Sequence, residues 1–258
     1  MKTISAHKQD EVSYAAELFR QSKRTVILTG AGFSTPSGIP DFRTEGTGLW
    51  SMVDPMEVAS LDTFRKNPEN FYSWIRLLVA KIKDAQPNAA HLAVARMEKA
   101  GLVSEIITQN IDGLHQKAGS INVLELHGTL STLSCGRCFQ QFLSEGFIEP
   151  LVRDGIAPCC PECGGWLKPD TILFGEQLPI KPWQAAQKAV RSCELMLVGG
   201  SSLEVLPVAG LPLQALDRGA HLIIVNISPT YLSVRADVVI LGDVAEIMPL
   251  IAKSVLDE

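Results

Sequence analysis

Short apolar runs that end in glycine or polar residues recur along the chain and predict the strands of one buried sheet. Runs of this length without strict alternation are typical of parallel strands that are covered on both faces. The predicted strands are residues 25–29, 102–108, 123–126, 195–198, 221–225 and 238–241.

Amphipathic segments with helical spacing separate most of these strands. This alternation predicts an α/β fold with a doubly wound, Rossmann-like parallel sheet. Residues 46–87 interrupt the alternation, and we interpret them as a small inserted helical module. The predicted helices are residues 11–22, 54–61, 68–85, 88–99, 182–192 and 208–218.

A wide apolar stripe marks the longest helix of the predicted insertion. Such a stripe is most often part of a hydrophobic core, and we favour that interpretation. The alternative is that it lines a substrate channel. The stripe consists of Phe71, Trp74, Ile75, Leu78, Val79 and Ile82.

Two cysteine pairs form the sharpest local motif. Cys135 and Cys138 are followed, after 21 intervening residues, by Cys160 and Cys163. Two pairs at this spacing are typical of a structural zinc site, because four thiolates complete the tetrahedron and leave no open position for water. A redox motif is the alternative, which the second matched pair disfavours.

These motifs suggest a division of the chain into three units. We assign residues 129–169 to a zinc-binding module and residues 46–87 to the helical insertion. Residues 1–45, 88–128 and 170–258 then form the Rossmann-like domain.

Composition places the chain among ordinary globular enzymes. Of its 258 residues 46% are hydrophobic, and the net charge of −5 gives no electrostatic case for direct binding to nucleic acid. No apolar stretch approaches the ~18 residues of a membrane span, and the N-terminus shows no secretory signal. We therefore expect a cytoplasmic protein without a membrane partner, and a monomer.

The loop after the first strand is the strongest candidate for ligand binding. Gly30 and Gly32 allow a tight turn at the carboxyl edge of the sheet, where nucleotide phosphates commonly bind. The third glycine, Gly38, comes late for a plain dinucleotide motif, and an Asp-Phe-Arg triplet follows at residues 41–43. A tight turn in a domain that binds no nucleotide remains the alternative on the glycines alone.

Further polar segments follow other strands. Residues 109–115 and then His127 come directly after two successive strands, and residues 199–202 form a second glycine-serine loop. Because the carboxyl ends of parallel strands share one edge, we expect these segments to converge beside the first glycine loop.

Taken together, the motifs resemble those of the sirtuins, the NAD-dependent protein lysine deacylases, and most closely the bacterial and archaeal protein deacetylases. The similarity spans about residues 26–243, and the motifs occur in the order of the family. They are Gly-Ala-Gly-x-Ser at 30–34, Gly-Ile-Pro-Asp-Phe-Arg at 38–43, Thr-Gln-Asn-Ile-Asp-Gly-Leu-His at 108–115, His-Gly at 127–128, the cysteine pairs, Phe-Gly-Glu at 174–176 and Gly-Ser-Ser-Leu at 200–203.

The resemblance implies a reaction in which acyl-lysine, NAD and water give lysine, nicotinamide and O-acyl-ADP-ribose. NAD is then a co-substrate, zinc is structural, and the partners are acetylated proteins or peptides. His127 is implied as the general base, which suits an imidazole with an ordinary pKa of about 6.5. Asn110 and Asp112 are implied as its catalytic companions, and His115 as a support of the site.

The resemblance also implies the binding residues. For NAD they are Gly30, Ala31, Gly32, Thr35, Asp41, Phe42, Arg43, Gln109, Asn110, Ile111, Asp112, Gly200, Ser201, Asn226, Ile227 and Asp243. Two edges are implied to pair with an extended substrate peptide, namely Phe174, Gly175 and Glu176 on one side and Leu203, Glu204 and Val205 on the other.

Departures from the family pattern refine the expectation. The desuccinylase branch carries a Tyr-x-x-Arg pair, whereas Tyr72 is followed at that spacing by Ile75, and Arg76 comes one position later. We therefore expect a preference for acetyl or other neutral acyl groups. Two other classes remain open, a protein mono-ADP-ribosyltransferase and an NAD-binding sensor or scaffold without turnover.

Overall fold

A six-stranded parallel sheet forms the centre of the molecule. The computed structural model describes residues 6–44, 46, 48–51 and 53–256. The order in the large sheet is β3-β2-β1-β7-β8-β9, and β5-β4-β6 form a small second sheet. The strands are β1 (Thr25–Thr29), β2 (Glu105–Thr108), β3 (Val123–Glu125), β4 (Gly128–Cys135), β5 (Gln141–Leu143), β6 (Leu167–Thr171), β7 (Leu195–Gly199), β8 (His221–Asn226) and β9 (Val238–Leu241).

The strand order reverses between β1 and β7. From β1 the chain moves through β2 to β3 at one edge, and it later returns to β7 on the other side of β1. All five residues of β1 and of β7 are buried, which agrees with their continuous apolar sequence. The chain continues from these two strands toward helices on opposite faces of the sheet, and this is the place where doubly wound sheets bind ligands.

Helices cover both faces of the large sheet. On one face α1, α5 and α10 pack on β1, β8 and β9, and on the other α8 and α9 form a second core. The helices are α1 (Ala6–Gln21), α2 (Pro55–Val58), α3 (Leu61–Lys66), α4 (Pro68–Asp84), α5 (Ala89–Lys99), α6 (Leu114–Lys117), α7 (Glu145–Asp154), α8 (Ile180–Ser192), α9 (Leu211–Leu216) and α10 (Val244–Leu256).

The predicted fold class is confirmed, and several boundaries move. Helix α1 begins at Ala6, five residues before the prediction, and residues 102–104 lie outside β2. The predicted helix 208–218 is a 3-10 turn, Val208–Gly210, followed by the short α9. No helix among the described residues is both long and apolar enough to cross a membrane.

Helix α4 joins the helical insertion to the cysteine-bearing module. Its start is fixed by the Asn67 side chain, which accepts a hydrogen bond from the Asn70 N–H, and by Pro68 at the first helical position. Phe71 and Ile75 of α4 share a core with Leu151 of α7. The division into three units stays a prediction, and within it these two smaller units pack against each other.

Candidate active site

A cleft of about 1210 Å³ opens at the carboxyl edge of β1 and β7. Both glycine loops, the 41–44 loop, residues 109–112 and His127 line it, together with parts of α4 and α8. The expected convergence of these segments is therefore observed. The predicted site residues that line the cleft are Gly30, Ala31, Gly32, Asp41, Phe42, Arg43, Gln109, Asn110, Ile111, Asp112, His127, Phe174, Gly175, Glu176, Gly200, Ser201, Leu203, Glu204, Val205, Asn226 and Ile227.

Two predicted NAD-binding residues are not among those that line the cleft. Thr35 donates its hydroxyl to the Gly32 carbonyl at 3.1 Å, so it stiffens the first glycine loop. The carboxylate of Asp243 accepts the Ala245 N–H at 2.7 Å and caps the start of α10. Their roles toward NAD stay predictions.

Close contact between the two loops explains the glycines at residues 30 and 32. The Gly30 and Gly32 N–H groups donate to the carbonyls of Gly199 and Gly200 at 3.1 and 2.9 Å. A Cβ on Gly30 would lie 2.8 Å from the Gly200 oxygen, and one on Gly32 would lie 3.0 Å from it. The sequence suggested glycine for close approach to a ligand, whereas here the crowding partner is the protein's own backbone.

Ser34 connects the first glycine loop to the polar segment after β2. Its hydroxyl donates to Asp112 Oδ2 at 2.7 Å and accepts from Asn110 Nδ2 at 3.0 Å. The same Asn110 nitrogen donates to the Gly30 carbonyl at 3.0 Å. Ser34 was absent from the predicted site residues, although its place in the Gly-Ala-Gly-x-Ser motif could have indicated it.

Burial and hydrogen bonding act in opposite directions on the pKa of Asp112. Loss of solvent raises the pKa of this carboxyl, and hydrogen bonds from the Leu114 N–H and the Ser34 hydroxyl oppose that effect. The side chain is thereby held in one orientation at the base of the cleft, next to Asn110.

His127 presents one ring nitrogen to a fixed partner. Its Nδ1 lies 3.1 Å from the Gln109 carbonyl oxygen, and because a carbonyl can only accept, the proton belongs on Nδ1. In the neutral ring Nε2 then carries the lone pair. Burial lowers the pKa of His127 below 6.5, and the Arg43 charge acts in the same direction, while the bond to Gln109 opposes them. A neutral imidazole with a free Nε2 can accept a proton.

His115 supports the site from beneath the cleft. It is 1% exposed, and its Nε2 lies 3.0 Å from the hydroxyl of Thr29 at the end of β1. Its ring centroid lies 4.8 Å from that of His91, which is fully buried. Both rings pack on Phe33 of the glycine loop, so the pair acts as a polar floor below the loop.

The 41–44 loop is held in place by aromatic stacking and one ion pair. Phe42 stacks on Trp50 at 5.1 Å, and Trp50 stacks on Trp74 of α4 at 5.4 Å between ring centroids. Arg43 Nε lies 3.3 Å from Glu204 Oε2, which joins this loop to one predicted peptide edge. Residues 45 and 47, which follow this loop in the sequence, lie outside the described residues.

The apolar stripe of α4 lies partly in the core and partly at the wall of the cleft. Phe71, fully buried, is a core residue, as is Val79. Trp74, Ile75, Leu78 and Ile82 line the cleft, and Ile75 and Leu78 also belong to the core. The favoured core interpretation is thus confirmed for most of the stripe, while part of it also lines the cleft. Whether that part contacts a substrate stays a prediction.

Neither Tyr72 nor Arg76 is free to bind an acidic acyl group. The Tyr72 hydroxyl donates to the Leu167 carbonyl. Arg76 donates from Nε and Nη2 to the Val152 carbonyl at 3.0 and 2.8 Å at the end of α7. Arg76 therefore points away from the cleft, as its position in the sequence predicts.

The four cysteines of the two pairs come together as predicted. Their sulfur atoms all lie within 4.8 Å of one another. The Sγ atoms of Cys135 and Cys163 are 3.5 Å apart, and those of Cys138 and Cys160 are 3.6 Å apart. Sulfurs on a zinc tetrahedron with ~2.3 Å bonds are separated by ~3.8 Å, so the donor set fits structural zinc.

Comparisons with known proteins identify the family. The model of the Sir2 family matches residues 30–207. NAD-dependent protein deacylase 2 of Archaeoglobus fulgidus is 44% identical over 248 residues, which cover 96% of this chain and 97% of that protein. The chain belongs to the Sir2 family, the sirtuins.

Solved structures show the same fold. One, determined to explain the mechanism and regulation of Sir2 enzymes, has a TM-score of 0.89 at 44% identity and covers 96% of this chain and 99% of its own. Another holds a deacetylated p53 peptide and 3′-O-acetyl ADP-ribose, with a TM-score of 0.87, 38% identity and coverage of 95% and 97%.

Proposed function

We propose that the protein is an NAD-dependent protein lysine deacetylase, with the products lysine, nicotinamide and O-acyl-ADP-ribose. The names of its relatives and the product-bound Sir2 structure support this reaction. The observation that carries it is the place of His127, whose Nε2 is left free by the Gln109 bond in the cleft that the two glycine loops line.

NAD fits the edge where β1 and β7 end. When bound, it supplies an electrophilic ribose carbon from which nicotinamide can leave. The Ala31 N–H lines the cleft and makes no backbone hydrogen bond within the described part of the chain, so it can bind a phosphate oxygen. Ser201 of the second glycine loop and Asn226 at the end of β8 are both buried, and they suit the adenosine half.

The residues around His127 orient its ring and keep it neutral, as proton transfer requires. The Gln109 carbonyl holds the ring and its tautomer, and burial keeps the ring neutral at pH 7. Ser34 holds Asn110 and Asp112 in fixed positions, from which they would face the ribose and the nicotinamide amide of bound NAD. Phe42 and Trp50 stack on each other and line the cleft, where they would keep water from the reacting carbon.

The acyl group enters an apolar part of the cleft. Ile75, Leu78 and Ile82 of α4 form one of its walls. Arg76 of the same helix donates to the Val152 carbonyl at the end of α7, and Arg43, which also lines the cleft, is paired with Glu204. Acetyl and other neutral acyl groups therefore suit this wall better than succinyl. The four-cysteine site would hold structural zinc, and none of its four cysteines lines the cleft.

Product analysis tests the proposal. The protein is incubated with NAD and matched acetyl-, crotonyl- and succinyl-lysine peptides, and the peptide, nicotinamide and ADP-ribose products are measured by mass spectrometry. We expect free lysine peptide with O-acyl-ADP-ribose, and faster turnover of the acetyl than of the succinyl peptide. A protein that instead gains ADP-ribose would indicate a transferase, and NAD binding without nicotinamide release would indicate a sensor.

A further inference from the structure

Helix α8 presents one face to the cleft. Ile180, Trp183, Gln184 and Gln187 line it, and their spacing of three, four and seven residues places them on one side of the helix. Ala186, Ala189 and Val190 lie on the opposite side and are buried in the core beside the sheet. On the cleft-facing side Trp183 is partly buried and also packs against that core, whereas Ile180 and Gln184 are exposed.

Leu206 and Tyr231 line the same cleft as this side of α8. Tyr231 is held in place because its hydroxyl donates to the Ala209 carbonyl at 2.8 Å. Three large apolar side chains stay exposed around this end of the cleft, Ile180 at 67%, Leu206 at 76% and Tyr231 at 54%. We call the part of the cleft that Ile180, Trp183, Gln184, Gln187, Leu206 and Tyr231 line the α8 groove.

The α8 groove continues from the two predicted peptide edges. Residues 177–180 follow the Phe174–Glu176 edge directly, and Leu206 follows Val205 of the other edge. The Phe174 N–H and C=O are already bonded to Ala59 and Leu61, whereas those of Gly175 have no backbone partner among the described residues. A peptide added as a strand at Gly175 would run on into the groove.

The size and charge of the groove indicate what it accepts. From residue 180 to residue 187 a helix rises about 10 Å, the length of roughly three extended residues. The six residues that line it carry no charge. The carboxylates at its entrance are paired, Glu176 with Lys168 and Glu204 with Arg43. The free-energy cost of removing a charged substrate side chain from water would therefore not be offset by an opposite charge in the groove.

We propose that the α8 groove is a subsite for up to about three substrate residues on one side of the acetyl-lysine, and that it selects uncharged apolar or aromatic side chains. This rests on the proposed deacetylase function, because the occupant is the continuation of the peptide bound at Gly175.

A peptide scan with a charge substitution tests the subsite. Acetyl-lysine peptides carry Leu, Arg or Glu at each of the four positions on either side, and kcat/KM is measured for every peptide. We expect Leu to exceed Glu and Arg at one to three positions on one side only. Gln184→Glu should raise kcat/KM for Arg at one of these positions about three- to fivefold, the size of a partly exposed ion pair.

A matched variant separates local from general charge effects. Ala185 is exposed on α8 but does not line the cleft, so Ala185→Glu adds the same charge outside the groove. Equal gains from Ala185→Glu, or a scan without preference on either side, overturn the subsite while deacetylation persists. If no peptide is deacetylated at all, the proposed function fails and the subsite fails with it.

Discussion

The ammonium group of Lys168 lies 3.1 Å from Glu176 Oε2, and both side chains are less than one-fifth exposed. Lys168 also donates to the carbonyls of Pro169 and Thr171 at 2.8 and 2.9 Å. Glu176 in turn accepts the Leu173 N–H at 2.8 Å. One cation therefore fixes the turn that carries the first peptide edge.

Replacing Lys168 should change the KM for the peptide more than kcat. We expect Lys168→Met to raise the KM for an acetyl-lysine peptide about tenfold, because a charged hydrogen bond contributes about 1.5–3 kcal/mol. The kcat and the KM for NAD should change less than about twofold. Lys168→Arg should restore most of the KM, since Arg is also a cationic donor. A fall in kcat with unchanged peptide KM would contradict the positioning role.

The cysteine cluster offers a matched pair of substitutions. Cys160→Ser removes a sulfur of the cluster, whereas Cys159→Ser changes an exposed neighbour outside it. We expect Cys160→Ser to lose zinc and to unfold at lower temperature, because metal binding and folding are coupled. Cys159→Ser should keep about one zinc per chain, measured by elemental analysis. Equal zinc loss in both would show that the cluster is misassigned.

The buried histidine pair should make stability depend on acid. Burial lowers the pKa of His91 from 6.5 to about 4 and that of His115 to about 3, the latter with a contribution from His91. Below pH 6.5 His91 and His115 become protonated in the unfolded chain, whereas in the native state they stay neutral until lower pH. The free energy of unfolding therefore falls as pH falls from 6.5 toward 4, by about 1.4 kcal/mol per pH unit for each histidine.

A variant at His91 isolates this contribution. Gln cannot titrate but keeps an acceptor for the Asn88 N–H, which now donates to His91 Nδ1 at 3.3 Å. In urea unfolding between pH 6.5 and 4.5, His91→Gln should show a slope smaller by about 1.4 kcal/mol per pH unit. Identical slopes in the two proteins would refute the buried neutral state of His91.

The fall of kcat/KM at low pH should reflect the protonation of His127. The base must be neutral, and burial keeps its pKa below 6.5, so activity should persist through pH 6.5 and decline only at lower pH. The measurement is kcat/KM against pH, corrected for the fraction folded. An acid limb centred above pH 6.5 would mean that His127 is charged too readily to serve as described.

The parts that local sequence pattern determines were predicted well. The buried β1 and β7 are continuous apolar runs, and the spacing of the cysteine pairs is a local property, so both follow from the sequence. The prediction that residues 102–104 belong to the second strand was wrong, because β2 pairs with β1 only from Glu105 onward. The start of α1 is polar, and its pattern gave no signal before residue 11.

Contacts between distant segments account for most of what the sequence could not show. The bond from Ser34 to Asp112 joins residues 78 positions apart. Whether Trp74 or Phe71 faces the cleft depends on how α4 docks, which the apolar stripe alone does not specify. The resemblance to the family indicated Asn110 and Asp112 as site residues, whereas their hydrogen bonds to Ser34 required the fold.

The most direct test compares the wild-type protein with His127→Ala, measuring NAD binding by calorimetry and nicotinamide release with an acetyl-lysine peptide. We predict that the wild type releases nicotinamide and deacetylated peptide in equal amounts. His127→Ala should still bind NAD but turn over about 10²–10⁴-fold more slowly, as expected for a lost general base. Undiminished turnover in this variant, or wild-type deacetylation that does not require NAD, would contradict the proposed mechanism.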